Sequence, residues 1–148
     1  MVDALKRKRA VGLIRQFIEG QISNDEYDNN YPDDTQDQGL LVVYDRLWIF
    51  YSDLHTHRLD KNSLSSEDRE VIERCLAFLN TDLEYEGAPL RERKPITGIG
   101  DFFRRLSPGN RPYSVLGEQS QKASTFYTPW WPFASEEQYR QHSPKAVT

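Results

Sequence analysis

Apolar residues recur along the first half of this chain with helical spacing, and polar punctuation marks where each helix starts and stops. Ala10, Leu13, Ile14, Phe17 and Ile18 fall at offsets 0, 3, 4, 7 and 8, one face of a helix running from about Asp3 to Glu19. Gly20 sits just past its end, where a left-handed residue closes a helix. Ser23-Asn24-Asp25-Glu26 has the capping-box spacing, in which a Ser oxygen accepts from the amide three residues on and the Glu carboxylate returns to the Ser amide. That spacing predicts a short acidic helix ending near Tyr31. Pro32 and the polar run Asp33 to Gln38 read as an exposed loop.

The strongest pattern follows. Leu40, Val43, Tyr44, Leu47, Phe50, Tyr51 and Leu54 lie at offsets 0, 3, 4, 7, 10, 11 and 14, which no strand produces. Leu41, Trp48 and Ile49 add apolar area on other faces, so the helix predicted over 40–55 is central and covered on most sides. A second capping signal, Ser65-Ser66-Glu67-Asp68, opens a helix over 66–80 with Val71, Ile72, Cys75, Leu76, Phe78 and Leu79 on its apolar side. Leu47, Tyr51, Val43, Phe17, Ile14, Ile72, Cys75 and Leu79 are the expected core. Beyond Asn80 the pattern weakens. Asp82, Glu84 and Glu86 alternate with Leu83 and Tyr85, the period of a short strand or extended segment. Residues 87–97 read as a linker, a short helix is expected near Asp101–Leu106, and Ser135-Glu136-Glu137-Gln138 opens one more. The fold class is mainly α: a small bundle of three main helices, short extra helices and an extended aromatic C-terminal strap. A single domain is expected, with a helical core over 1–86, an irregular C-terminal region over 87–142 packed on it, and a disordered tail at 143–148.

Bulk properties narrow the reading. A chain of 148 residues buries about 68–70% of its unfolded surface, enough for a core without staples. One cysteine, Cys75, allows no internal disulfide and fits a reducing compartment. The longest apolar run, Leu40 to Tyr44, is far short of the about 20 residues of a membrane span, and the N-terminal segment lacks a signal-peptide apolar stretch. The expected localisation is cytoplasmic, with no membrane partner.

Charge changes the picture more. Between Arg15 and Arg46 there is no Lys or Arg, and those thirty residues carry eight acids, although the whole chain is only at formal charge -4. Concentrated charge makes a field that selects partners. The candidate partner-binding residues are therefore Asp25, Glu26, Asp28, Asp33, Asp34 and Asp37, facing Lys and Arg of a basic protein, with Tyr27 and Tyr31 as apolar anchors between them. The alternative is a solvated loop. A calcium loop fails on spacing: Asp33, Thr35 and Asp37 match its first, third and fifth positions, but Gly39 is one late and Tyr44 stands where Glu is needed.

Asp53, His55, His57 and Asp60 form the nearest thing to a metal set. Two His one residue apart share a face only on a strand, and here they follow a helix. The aromatic segment Phe126 to Phe133 packs five rings into eight residues, as a strap over the helices or as an exposed partner site. Nine Lys/Arg against five acids from Arg91 onward, with these rings, fit a nucleic-acid binder, but a pI near 5.4 argues against one. Gly98-Ile99-Gly100 lacks the third glycine of a dinucleotide loop. Cys75 lies on an apolar face and reads as core.

Three stretches carry a resemblance: Phe17 to Glu26; Leu47-Trp48, Tyr51 to Leu54 and His57-Arg58-Leu59; and Arg74-Cys75 with Phe78 to Glu86. Together with Trp131-Pro132-Phe133 they resemble a family of small uncharacterised bacterial helical proteins over residues 10–86. The resemblance implies a helical fold and carries no activity. In general build the chain is also similar to immunity proteins of bacterial toxin systems. The expectation is thus a non-enzymatic protein without cofactor or metal, a toxin-neutralising immunity protein whose acidic surface plugs a toxin with a nuclease-like basic cleft. The alternatives are a small metal-binding protein or enzyme using Asp53, His55 and His57, and a homo-oligomeric structural subunit joined through the aromatic tail.

Overall fold

Local hydrogen bonds at the helix ends account for most of the element boundaries. The computed structural model describes residues 1–50, 55–87 and 128–143. Helix α1 spans Ala4–Ile18, and its N-cap Asp3 accepts from the Lys6 amide at 3.0 Å. It closes in a Schellman motif: the Gly20 amide donates to Phe17 O at 3.1 Å and the Gln21 amide to Gln16 O at 2.9 Å. Gly20 has φ +69°, and a Cβ there would lie 2.5 Å from Leu59 O, so both backbone angle and space demand glycine.

Helix α2, Asn24–Asn30, has the complete capping box, with Ser23 N to Glu26 Oε2 at 2.8 Å and Glu26 N to Ser23 Oγ at 3.2 Å. Helix α3 spans Gln38–Leu47 and continues as a 3-10 turn over Trp48–Phe50. It begins two residues before the apolar pattern does, because Asp37 caps it, and it tightens at Trp48, a common helix ending. The part of the expected 40–55 helix at 51–54 lies outside the described residues, as does Tyr51 of the expected core. Helix α4, Ser66–Leu79, starts with the reciprocal Ser65–Asp68 box, both bonds at 3.1 Å. Helix α5, Glu136–His142, is capped by Ser135. The linker at 88–97, the helix expected near Asp101–Leu106 and residues 144–148 also fall outside the described residues.

The described chain is mainly helical, with no strand among the described residues. No helix among them is long and apolar enough to cross a membrane. Helix α1 packs against α2, α3 and α4, and α3 packs on α4. Ile14, Phe17, Val43, Leu47, Ile72, Cys75 and Leu79 are all buried in one core cluster. Rings fill one side of it: Phe17 stacks on Tyr27 at 4.5 Å, and Tyr31 lies 4.7 Å from Tyr44.

After α4 the chain runs extended. Leu83 and Tyr85 pack on the core while Asp82, Glu84 and Glu86 face solvent, so the period of two is expressed without a strand partner among the described residues. Trp131, Pro132 and Phe133 are buried beside this segment and α4. Arg74 Nε donates to Trp131 O at 3.2 Å, Trp131 Nε1 donates to Tyr85 Oη at 3.2 Å, and Phe133 meets Phe78 edge-on at 5.4 Å.

Leu47 is 1% exposed at the centre of this packing, so Leu47→Ala should cost about 2–5 kcal/mol in urea denaturation without changing the m-value. A cost near zero would place Leu47 outside the core.

Candidate functional site

The acidic stretch divides into a buried part and an exposed part. Asp37 is 2% exposed, and Arg7 of α1, at 1%, holds it with both prongs of its guanidinium: Nε to Oδ2 at 2.7 Å and Nη2 to Oδ1 at 2.9 Å. The backbone amides of Asp3 and Gly39 also donate to this carboxylate, each at 3.0 Å. Arg7 Nη1 donates to Thr81 O at 2.8 Å, and the guanidinium carbon lies 5.0 Å from the centre of the Phe78 ring. Burial alone would raise the Asp37 pKa, but the bonds from Arg7 and the Asp3 and Gly39 amides outweigh it and hold the carboxyl below its ordinary value. The site is tight: a Cβ on Gly39 would stand 2.7 Å from the Phe78 ring and 2.8 Å from Arg7 Nη2.

Tyr27 and Tyr31 are also interior, at 1% and 4% exposure. Tyr31 Oη donates to Leu40 O at 3.0 Å, and burial pushes both phenol pKa values well above normal. The sequence expectation for three of its eight residues is therefore corrected. Asp37, Tyr27 and Tyr31 do not present a partner surface: the carboxylate is consumed by Arg7, and the two rings complete the core between α1, α2 and α3. One signal pointed to Arg7. It lies three and four residues before Ala10 and Val11 and seven before Ile14, on the apolar face of α1, where a cation needs a buried counter-charge.

Asp25, Glu26, Asp28, Asp33 and Asp34 remain on α2 and the loop after it, half-exposed or exposed. Asp28 accepts from Tyr44 Oη and Asp25 from Thr56 Oγ1. Asp34 meets Lys6 at 3.1 Å and Glu26 meets Arg58 at 3.7 Å, both at the surface. Hydrogen bonds from the Ser23 backbone and side chain lower the Glu26 pKa. Asp33 makes no side-chain hydrogen bond among the described residues.

Asn24, to which no local pattern assigns a role, ties α2 to the segment after residue 54. Its amide group donates to His55 O at 3.2 Å and accepts from His57 N at 2.7 Å, and its backbone N donates to His57 O at 3.0 Å. His57 lies with Nε2 3.2 Å from Phe50 O, and Asp60 caps the 3-10 turn Lys61–Ser63 through Asn62 N at 2.9 Å. Asp53 lies outside the described residues. No group of three or more His, Cys, Asp or Glu among the described residues is arranged to hold a metal. Burial pushes the Cys75 thiol up to about 12, leaving no thiolate for chemistry near neutral pH.

No protein-family model matches the chain, and neither a curated protein nor a solved structure matches it significantly.

The buried ion pair makes acid stability informative. A carboxyl held below its unfolded value contributes stability that is present above the unfolded value and is lost as pH falls through the folded one. The wild-type chain should therefore lose stability below about pH 4, and Asp37→Asn should lack part of that loss. Arg7→Met strands a buried carboxylate and should cost about 3–5 kcal/mol, whereas Arg7→Met with Asp37→Asn should cost less than the two singles added. Urea denaturation at neutral and acid pH checks both; strict additivity would deny the pair its coupling. Cys75 should resist a thiol reagent in the native protein and react fully once urea unfolds it.

Proposed function

We propose that this chain is a non-enzymatic, cytoplasmic protein that binds a basic protein partner through the acids of α2 and the α2–α3 loop, acting as the immunity protein of a bacterial toxin. Asp25, Glu26, Asp28, Asp33 and Asp34 would face Lys and Arg in a toxin cleft built to hold a polyanion, such as that of a nuclease. The observation that carries the reading is the mounting of these acids. Asn24 pins one end of α2 to the 55–57 segment, Tyr27 and Tyr31 plug its inner face into the core, and Asp37 locks the far end of the loop to α1. Charges held this way need little ordering when a partner arrives, which lowers the entropic cost of association. Lys6 pairs with Asp34 and Arg58 with Glu26 at the surface, contacts worth little against a closely fitting partner. In the same reading α1, α3 and α4 are the three main helices of a bundle, and the described part of the aromatic segment, 128–133, is a strap laid over it rather than an interface; Phe126 and Tyr127 lie outside the described residues.

The test uses the product of the neighbouring gene as partner. Reversing Asp25, Asp33 and Asp34 to Lys should slow association by about tenfold or more at low salt and flatten its salt dependence, while leaving the dissociation rate less affected. Stability should change little, since these are surface positions. Asp37 is left untouched because its reversal would unfold the chain. If the triple variant associates at the wild-type rate across the salt series, the acidic surface is only solvated and the reading is wrong.

A further inference from the structure

A second feature lies away from α2 and has the opposite charge. Between the C-terminal half of α4 and α5, with Arg15 of α1 at its rim, is a cleft of about 450 Å³, within the size range of small-molecule sites. Its apolar lining is Leu76 and Ala77, both half-buried, with Tyr139 opposite them on α5. Arg74 is held in place by its Nε bond to Trp131 O, which leaves the terminal N–H groups of its guanidinium for other acceptors. Among the described residues no acid pairs with Arg15 or Arg74. Glu73, the one carboxylate among the described residues of the lining, is engaged in an interaction of its own. His142 is oriented too: its Nδ1 lies 2.9 Å from Gln138 O, to which it donates, and its ring stacks on Phe133.

Among the described residues two guanidinium groups thus meet a single occupied carboxylate, in a chain whose formal net charge is -4. Guanidinium forks match the paired oxygens of carboxylates and phosphates, and the neighbouring Leu76, Ala77 and Tyr139 surfaces suit an apolar body. We infer that this cleft binds a small organic anion, its carboxylate or phosphate head on Arg15 and Arg74 and its hydrocarbon part on Leu76 and Ala77. The site shares no residue with the acidic surface of α2, so either can fail without the other.

The probes are phenyl phosphate, phenylacetate, inorganic phosphate and uncharged benzyl alcohol, titrated into the full chain and followed by amide chemical shifts. At least one aromatic anion should give saturable shifts at Arg74, Ala77 and His142, and which one does so separates a phosphate from a carboxylate ligand. Inorganic phosphate should bind more weakly, and benzyl alcohol should leave the cleft unmoved. Arg15→Gln, at an exposed position, should keep the fold and weaken the anion by roughly tenfold, with Arg15→Lys in between. No cleft shifts with either aromatic anion at roughly ten times millimolar concentration, well above weak-binding range, would overturn the inference. So would equal affinity for inorganic phosphate, equal shifts with benzyl alcohol, or unchanged binding by the Arg15→Gln variant.

Discussion

Arg7 and Asp37 sit where the helices of this protein meet. Each is almost completely removed from water, and each is fully used: the carboxylate accepts from Arg7 and two backbone amides, while the guanidinium also reaches Thr81 O and lies against the Phe78 ring. The pair therefore joins the start of α1, the cap of α3 and the chain just past α4. A buried ion pair of this kind is no more stabilising than well-packed apolar side chains of the same volume, because desolvation offsets the attraction. Its effect lies in what it forbids. Any other approach of α1 to α3 would leave a charge buried without a partner, which costs far more than a misplaced leucine. Gly39 shows how close the approach is, since even a methyl group there would strike both Phe78 and Arg7.

This pair also reassigns the charge of the chain. Thirty residues without a cation look like one continuous acidic surface, but Asp37 turns inward and is neutralised by Arg7 of α1. The remaining acids lie on backbone anchored at both ends, by Asn24 and by Asp37. The two tyrosines between them contribute by packing, with Tyr27 stacked on Phe17 and Tyr31 bonded to Leu40 O, so the helix that carries Asp25, Glu26 and Asp28 is seated on rings. In the proposed function, an electrostatic surface on such a mount would steer a basic partner by long-range field and lose little entropy on contact. In the cleft beside α4 the balance reverses, with Arg15 and Arg74 against Glu73 among the described residues, and Arg74 is positioned by the carbonyl of Trp131, a residue 57 positions further along the chain.

Much of the helical scaffold was legible in the residues themselves. The Schellman closure at Gly20, the capping boxes at Ser23 and Ser65 and the cap at Ser135 all use partners within about five residues, and the apolar faces repeat with the helix turn, so local spacing determined where α1, α2, α4 and α5 begin. The core residues Ile14, Phe17, Val43, Leu47, Ile72, Cys75 and Leu79 followed from the same periodicity. Only the tertiary structure decided the fate of the polar groups. Asp37 is thirty residues from Arg7, and Asn24 is more than thirty from the His55 and His57 backbone groups it binds. In sequence, Asp37 belongs to a polar run indistinguishable from a solvated loop, and Tyr27 and Tyr31 stand among acids. Hydrophobic burial leaves a periodic trace because it acts on every turn of a helix, whereas a buried charge is satisfied by one distant partner at one point, and nothing near it in the chain records which.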